Sequence, residues 1–258
     1  MERRGGMGLW AGLAATALLL AGCGGGGGDD DAGAPAGSPP ASERERTSAP
    51  PETTPSSDSP TSDPSPTGAA PASDIDLDEV ILKPGDLAEF QITESPGGDR
   101  DIPPTKASPA TCQPVENLRL DAYTATPSAT ARRFALATTG DYRGTGTTIT
   151  LTAFTATDAE KTMSDLRSAV TKCANGYEGG ALTFNEVRKL TPVPVGDEAI
   201  SFHLSGRATP TSYTLVRQGS ILVRLSSAVG TGGEAEVPQP VVVQQVMKIQ
   251  AAAARTAS

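Results

Sequence analysis

The clearest pattern along the chain is an alternation of apolar and polar residues with a period of two, which is typical of strands that bury one face. In one such run Ile149 and Leu151 point one way, while Thr150 and Thr152 point the other. The pattern predicts strands at residues 132–138, 147–154, 182–188 and 199–204. In the last of these, His203 and Ser201 lie opposite the apolar residues and are expected on a polar face.

Two β-rich runs between Tyr213 and Ser226 flank Gln218-Gly219 and predict a hairpin. A two-residue loop there pairs Val216 with Ile221 on one face. The residues expected on the opposite face are Tyr213, Leu215, Arg217, Leu222 and Arg224. In this register Tyr213 lies directly across from Arg224, close enough for a cation–π contact.

Apolar residues recur at helical spacing in two segments. One helix is expected to begin near Thr157 or Asp158 and to end at Asn175-Gly176, and Pro240 is expected to open the last helix. A shorter helix is predicted at residues 112–120. One-sided strands combined with amphipathic helices indicate an α+β domain, in which an antiparallel β-sheet is covered by helices on one face.

Residues 1–22 have the features of a lipoprotein signal peptide. Two arginines precede an uncharged apolar run from Met7 to Leu20 that is short for a membrane span. The run leads through Ala21-Gly22 into Cys23, which resembles a bacterial lipobox. Cleavage before Cys23 and acylation of this residue would anchor the protein at the extracytoplasmic face of the cell membrane. The alternative is an ordinary signal peptide followed by a chance cysteine.

Residues 23–73 have the composition of a disordered tether. Between Gly24 and Ser73 the chain contains no Leu, Ile, Val, Met, Phe, Tyr or Trp, so this segment cannot form a core. A single domain is therefore expected at residues 74–258. The tether is expected to act either as a spacer through a cell-wall layer or as an inert linker.

Charge and cysteine content narrow the possible partners. The net charge of −9 disfavours nucleic-acid binding, because acidic residues outnumber the basic residues that could neutralise phosphates. Of the 3 cysteines, Cys23 is assigned to the lipid, which leaves Cys112 and Cys173 for one disulfide in an exported protein. Two free thiols are the alternative.

Residues typical of common catalytic sites are scarce. His203 is the only histidine, so a histidine-based metal cluster is excluded, and no cofactor is indicated. The motifs G-x-S-x-G, S-x-x-K and H-E-x-x-H are missing. Gly144-Thr145-Gly146-Thr147 lacks a P-loop lysine and precedes a strand, so a hairpin turn is the better interpretation. The acid pair Asp197-Glu198 is interpreted as solvated.

The order of features resembles one family. A cysteine opens a short helix, strands follow, a helix ends in Cys173, and a hairpin containing Val216-Arg217-Gln218-Gly219 precedes the last helix. This order is similar to that of the extracellular sensor domain of the mycobacterial kinase PknH and of related actinobacterial lipoproteins, including the LpqN type. The resemblance implies a non-catalytic sensor-like domain. The sensor domain of that kinase usually has two disulfides, whereas this chain, with Cys23 assigned to the lipid, can form only one.

Three functions are consistent with these features. The first is a non-catalytic, lipid-anchored module that binds a small molecule or a protein of the cell envelope. The second is an envelope hydrolase or esterase with an unmarked active site, and the third is a structural accessory protein. The expected binding surface is a sheet face turned away from the helices, which would carry Thr150, Thr152, His203, Tyr213, Arg217 and Arg224. An ordinary solvated sheet face is the alternative.

Overall fold

The computed structural model describes residues 75–96, 103–230 and 233–256. The predicted signal peptide, Cys23 and the tether lie outside these residues. The described part contains nine strands in one antiparallel sheet, ordered β1-β3-β4-β9-β8-β7-β6-β5-β2, and four α-helices. None of these helices is long and apolar enough to cross a membrane.

The helices and strands follow the predicted order closely. The helices are α1 (Leu77–Val80), α2 (Gln113–Leu120), α3 (Ala156–Lys172) and α4 (Gln239–Thr256). The strands are β1 (Phe90–Glu94), β2 (Ala107–Ser108), β3 (Ala129–Ala137), β4 (Thr145–Ala153), β5 (Tyr177–Gly179), β6 (Leu182–Leu190), β7 (Glu198–Gly206), β8 (Thr211–Gln218) and β9 (Ile221–Val229). A 3₁₀ turn at Ala110–Cys112 leads into α2. The cap of α3 is Thr155, whose hydroxyl accepts from the Asp158 N–H at 3.1 Å.

Helices pack against both faces of the sheet. On the face that we call the α4 face, α1 and α4 cover an apolar cluster that includes Ile149 and Leu225. On the α3 face, α2 and α3 cover a second cluster that includes Phe202 and Leu222. The α+β class and the antiparallel sheet are confirmed, but the expectation of helices on one face is wrong. Consecutive apolar residues in β9, such as Leu222 and Val223, are buried on opposite faces and need a cover on each.

The register of the β8–β9 hairpin also differs from the prediction. The loop is Gly219-Ser220, so that Val216 pairs with Val223 rather than with Ile221. Tyr213 therefore lies across from Ser226. A slip of two residues leaves every side chain on its predicted face, because the side-chain period of a strand is two.

A disulfide links the two helices of the α3 face. The sulfur atoms of Cys112 and Cys173 are 2.00 Å apart, and their Cα atoms are separated by 5.8 Å. The bond joins the residue before α2 to the residue after α3. The predicted pairing of these two cysteines is thus present, and it holds both helices on the same side of the sheet.

A buried glutamine fixes α4 on the other face. The side-chain oxygen of Gln245 accepts from the Leu82 N–H at 2.9 Å, and its amide nitrogen donates to the Val80 carbonyl at 3.0 Å. Gln245 has no exposed surface, so both polar groups of its amide find partners inside the core. This pairing ties α4 to the start of the domain and determines which part of the sheet the helix covers.

Candidate functional site

The α4 face changes from apolar to polar towards one end of the central strands. A row of residues on five adjacent strands runs Thr147, Ser227, Ser212, His203 and Arg188, each paired with the next. The hydroxyls of Thr147 and Ser227 are 2.8 Å apart, and the Ser212 hydroxyl is 3.0 Å from His203 Nδ1. The first four residues of the row are buried, although their side chains are polar. The helix-packed core thus ends at this hydrogen-bonded row, which we call the polar floor.

A cavity of about 410 Å³ lies at this end of the α4 face, and Ser212 and Arg188 are the members of the row that line it. Ser201, Ser212 and Thr214 contribute from β7 and β8, and the hydroxyls of Ser201 and Thr214 are 2.8 Å apart. The remaining lining residues are Tyr142, Arg188, Leu190, Thr191, Val193, Glu234, Ala235, Glu236, Val237 and Gln239. Hydroxyls, charged groups and a few apolar side chains in one concave surface are features of a small-molecule site.

One wall of the cavity is a segment without helix or strand, residues 233–238, that leads into α4. It is held by buried Ala235 and by Glu234, whose carboxylate is paired with the Arg188 guanidinium. The same carboxylate oxygen is 3.4 Å from His203 Nε2. Glu234 therefore connects this wall to the charged end of the polar row.

His203 is held in its neutral form by its surroundings. Burial lowers the pKa of the imidazole below its ordinary value, and the nearby Arg188 cation lowers it further, against an opposing effect of Glu186. A neutral ring has one nitrogen that donates and one that accepts. The ring can therefore accept a hydrogen bond from the Ser212 hydroxyl at Nδ1 and present an N–H at Nε2 towards Glu234.

Of the predicted surface residues, only His203 is on the α4 face, and it approaches the cavity through Glu234, which lines it. Tyr213, Arg217 and Arg224 are on the α3 face, as are Thr150 and Thr152, which are buried there. The expectation that these residues share one outward face with His203 is wrong. The β7–β8 register places Phe202, not His203, beside Tyr213.

Arg224 has a structural role beneath α2. Its Nε donates to the Leu118 carbonyl at 2.6 Å, and its Nη2 donates to the Arg119 carbonyl at 3.0 Å. These are carbonyls at the carboxyl end of α2, where a cation is stabilised by the helix dipole. The guanidinium also lies 5.5 Å from the centre of the Tyr213 ring, so the predicted cation–π contact exists, although the two residues are not directly opposite.

Arg217 is engaged at the hairpin end of the sheet. Its Nη1 donates to Asp197 Oδ2 at 3.1 Å, and the same oxygen accepts from the Gly219 N–H at 2.7 Å. Asp197 is exposed to solvent, as expected from the sequence, and it also braces the hairpin loop. Both arginines therefore have partners within the protein, and their contact with a ligand stays a prediction.

Sequence reasoning missed Arg188, Glu234 and the paired hydroxyls of Ser201 and Thr214. The available signal was the alternation in β7, where Ser201 and His203 share a face that the hairpin continues with Ser212 and Thr214. The position of Glu234 could not be predicted in this way, because it lies in a segment without hydrophobic periodicity.

A second, smaller cavity of about 270 Å³ lies between α2 and α3 on the α3 face. Its apolar lining includes Leu118, Tyr123 and Leu166, and its rim carries Lys161, which pairs with Asp165 at 2.7 Å. Within residues 75–96, 103–230 and 233–256, no group of three or more His, Cys, Asp or Glu side chains is arranged to hold a metal ion.

The chain was compared with protein-family models, with curated proteins and with solved structures. No family model and no curated protein matches it. Among solved structures, the extracellular domain of PknH from Mycobacterium tuberculosis is 14% identical, with a TM-score of 0.46, and the match covers 71% of this chain and 100% of that domain. An uncharacterised Rv0999 orthologue from Mycobacterium smegmatis is 13% identical, with a TM-score of 0.33, over 65% of this chain and 89% of that one. The likeness to LpqN-type lipoproteins remains an expectation.

Proposed function

We propose that this domain is a non-catalytic module that binds a small polar molecule in the cavity on the α4 face. The observation that carries the proposal is the buried polar floor beside a cavity of about 410 Å³. The hydroxyls of Ser201, Ser212 and Thr214 belong to strands in the middle of the sheet, so they are presented by a rigid surface. A preformed site of this kind binds a ligand with little reorganisation.

The chain is proposed to display this module at the extracytoplasmic face of the membrane. The signal-peptide features of residues 1–22 and the lipobox-like sequence before Cys23 support lipid anchoring. The disulfide between Cys112 and Cys173 is in keeping with an oxidising compartment. Cys23→Ala is expected to abolish acyl labelling and to release the protein from the membrane fraction or leave its precursor uncleaved. Unchanged acyl labelling would contradict this part of the proposal.

Native mass spectrometry of the full chain tests the binding function. A small molecule retained by the native protein is expected to be lost in Val193→Trp, because an indole at Val193 fills the cavity from its rim. Met247→Trp is the matched control, since Met247 is exposed on α4 and lies outside the cavity. Equal retention of the molecule in the two variants would show that it binds elsewhere.

A hydrolase is the second candidate, and one observation favours it. Ser212, His203 and Glu234 lie in a row, as in a serine–histidine–acid triad. However, Ser212 contacts Nδ1 and Glu234 faces Nε2, the reverse of the usual arrangement. Ser212 is also paired with both His203 and Ser227 in the middle of the sheet, so its backbone lies inside the strand ladder, where an oxyanion hole is not available.

Esterase and peptidase assays separate these two functions. We expect wild type and Ser212→Ala to have the same background rate towards short-chain p-nitrophenyl esters. A rate well above background that is lost in both Ser212→Ala and His203→Gln, but is kept in Ser226→Ala, would establish the hydrolase instead. Ser226 is a suitable control because it lies on the opposite face of β9 from Ser227.

A further inference from the structure

We propose that the cavity binds a zwitterionic, amino-acid-like ligand whose carboxylate displaces the side chain of Glu234 from Arg188 and His203. This inference rests on the proposed function and names the ligand class of the same cavity. It follows from three features of the cavity wall: a carboxylate of the protein itself already seated between two nitrogen donors, the weakness of its attachment, and a second carboxylate without a partner.

The first feature shows what the charged end of the cavity recognises. The Glu234 carboxylate is hydrogen-bonded to the Arg188 Nη2 and lies 3.4 Å from the His203 Nε2. Arg188 and His203 are neighbours across β6 and β7, so the sheet holds their backbones side by side, independently of the wall segment. A guanidinium beside an imidazole N–H is complementary to a carboxylate, and Glu234 occupies that position as an internal substitute for a ligand.

The second feature makes Glu234 displaceable. The side chains of Arg188 and Glu234 are 43% and 56% exposed, and ion pairs between exposed side chains contribute little free energy. The wall segment itself is held separately by Ala235, which is 3% exposed, and by Val237, which packs against the α4-side core. Glu234 can therefore swing into solvent while the wall stays in place.

The third feature determines the rest of the ligand. Glu236 also lines the cavity, and it has no ion pair or hydrogen bond with any residue in the described part of the chain. With Glu186 near Arg188, acids outnumber bases around the cavity, which disfavours a simple anion. An ammonium group near Glu236 pairs with this second carboxylate, and the hydroxyls of Ser201 and Thr214 can accept its hydrogen bonds. A ligand with one carboxylate and one ammonium group fits this distribution.

The experiment uses the single histidine as a reporter. The ring ¹H–¹³C resonances of His203 in the full chain are followed by NMR during titration with ω-amino acids from glycine to 6-aminohexanoate, and with butanoate and butylamine as single-charge controls. At least one ω-amino acid is expected to shift these resonances saturably, with a lower Kd than either control compound. Glu234→Gln is expected to lower that Kd by about two- to fivefold, because the internal competitor is weakened.

Further variants separate this inference from a general effect of charge. Arg188→Gln is expected to raise the Kd more than tenfold, and Glu236→Gln is expected to raise it as well. Glu178→Gln removes the same charge at an exposed position of β5, outside the cavity, and is expected to bind as wild type does. Circular dichroism spectra identical to wild type confirm that each variant is folded.

Three results would overturn the inference. They are the absence of a saturable shift with every ω-amino acid, binding that is unchanged in Arg188→Gln, and binding that is equally tight for butanoate. If native mass spectrometry then still finds a Val193→Trp-sensitive molecule, the proposed function stands and only the ligand class is wrong. If neither method detects a ligand, both are wrong.

Discussion

Buried polar side chains have different hydrogen-bond partners on the two faces of the sheet. On the α3 face, Arg224 lies under a helix and both of its described hydrogen bonds go to carbonyls at the end of α2. On the α4 face, Thr147 is hydrogen-bonded to Ser227 and His203 to Ser212 across strands, and Ser212 also lines a cavity. A buried polar group thus binds a helix end where a helix meets it, and it borders open space where the covering helix stops short.

The disulfide that braces the α3 face should have the largest effect on stability. The double variant Cys112→Ser/Cys173→Ser is expected to lower the free energy of unfolding by about 4 kcal/mol, because the bond closes a long loop in the unfolded chain. The sequence separation of the two cysteines is 61. Urea unfolding measures this value, with Cys23→Ser as the control. A stability equal to wild type would mean that the bond does not constrain the unfolded chain.

Removing the cation beneath α2 should have the next largest effect. Arg224→Met is expected to destabilise the domain by about 3 kcal/mol, since it leaves the buried carbonyls of Leu118 and Arg119 without this donor. Arg217→Met on the same face is the control and should cost no more than about 1 kcal/mol, because its ion pairs are partly exposed. Equal losses in urea unfolding would refute the structural role assigned to Arg224.

On the α4 face, the stability should depend on pH through His203. Its pKa is lower in the folded than in the unfolded chain, so the unfolded state binds the proton more readily. Wild type should therefore lose stability relative to His203→Gln as the pH falls below about 6.5, the ordinary pKa of histidine, and no further once the pH is below the folded-state pKa. Parallel stability curves for the two proteins between pH 7.5 and pH 5 would contradict this.

The smallest effect on stability is expected at the cavity wall. Glu234→Gln should change the free energy of unfolding by less than about 1 kcal/mol, because its ion pair with Arg188 is exposed. Thermal unfolding followed by circular dichroism measures the change. A loss as large as that of Arg224→Met would mean that Glu234 is a structural element and not an internal competitor.

The strands and the two long helices could be predicted because each has a strong period of its own. The shorter strands could not, since β2 and β5 have two and three residues and form only by pairing with each other and with β6. β2 lies in a segment for which the sequence analysis predicts no strand.

The candidate site could be predicted only in part. Polarity suggested correctly that His203 faces away from Phe202, but it placed His203 with Tyr213 and Arg224 because all three have polar groups. The positions of these side chains depend on the pairing between strands and on the carbonyls at the end of α2. Neither can be predicted from a local sequence pattern. Arg224 therefore looked like a surface residue until its partners from α2 were known.

The most direct test of the account compares the two faces in one sample. The His203 ring resonances and those of the Tyr213 ring are recorded by NMR for the full chain as purified, and again after unfolding, washing and refolding, which would remove the small molecule that the proposed function expects. Removal is expected to shift the His203 resonances, because its Nε2 lies 3.4 Å from Glu234, which lines the cavity, and to leave Tyr213 unchanged beneath the α3-side helices. A shift at Tyr213 with none at His203 would place the binding site on the opposite face and contradict the account.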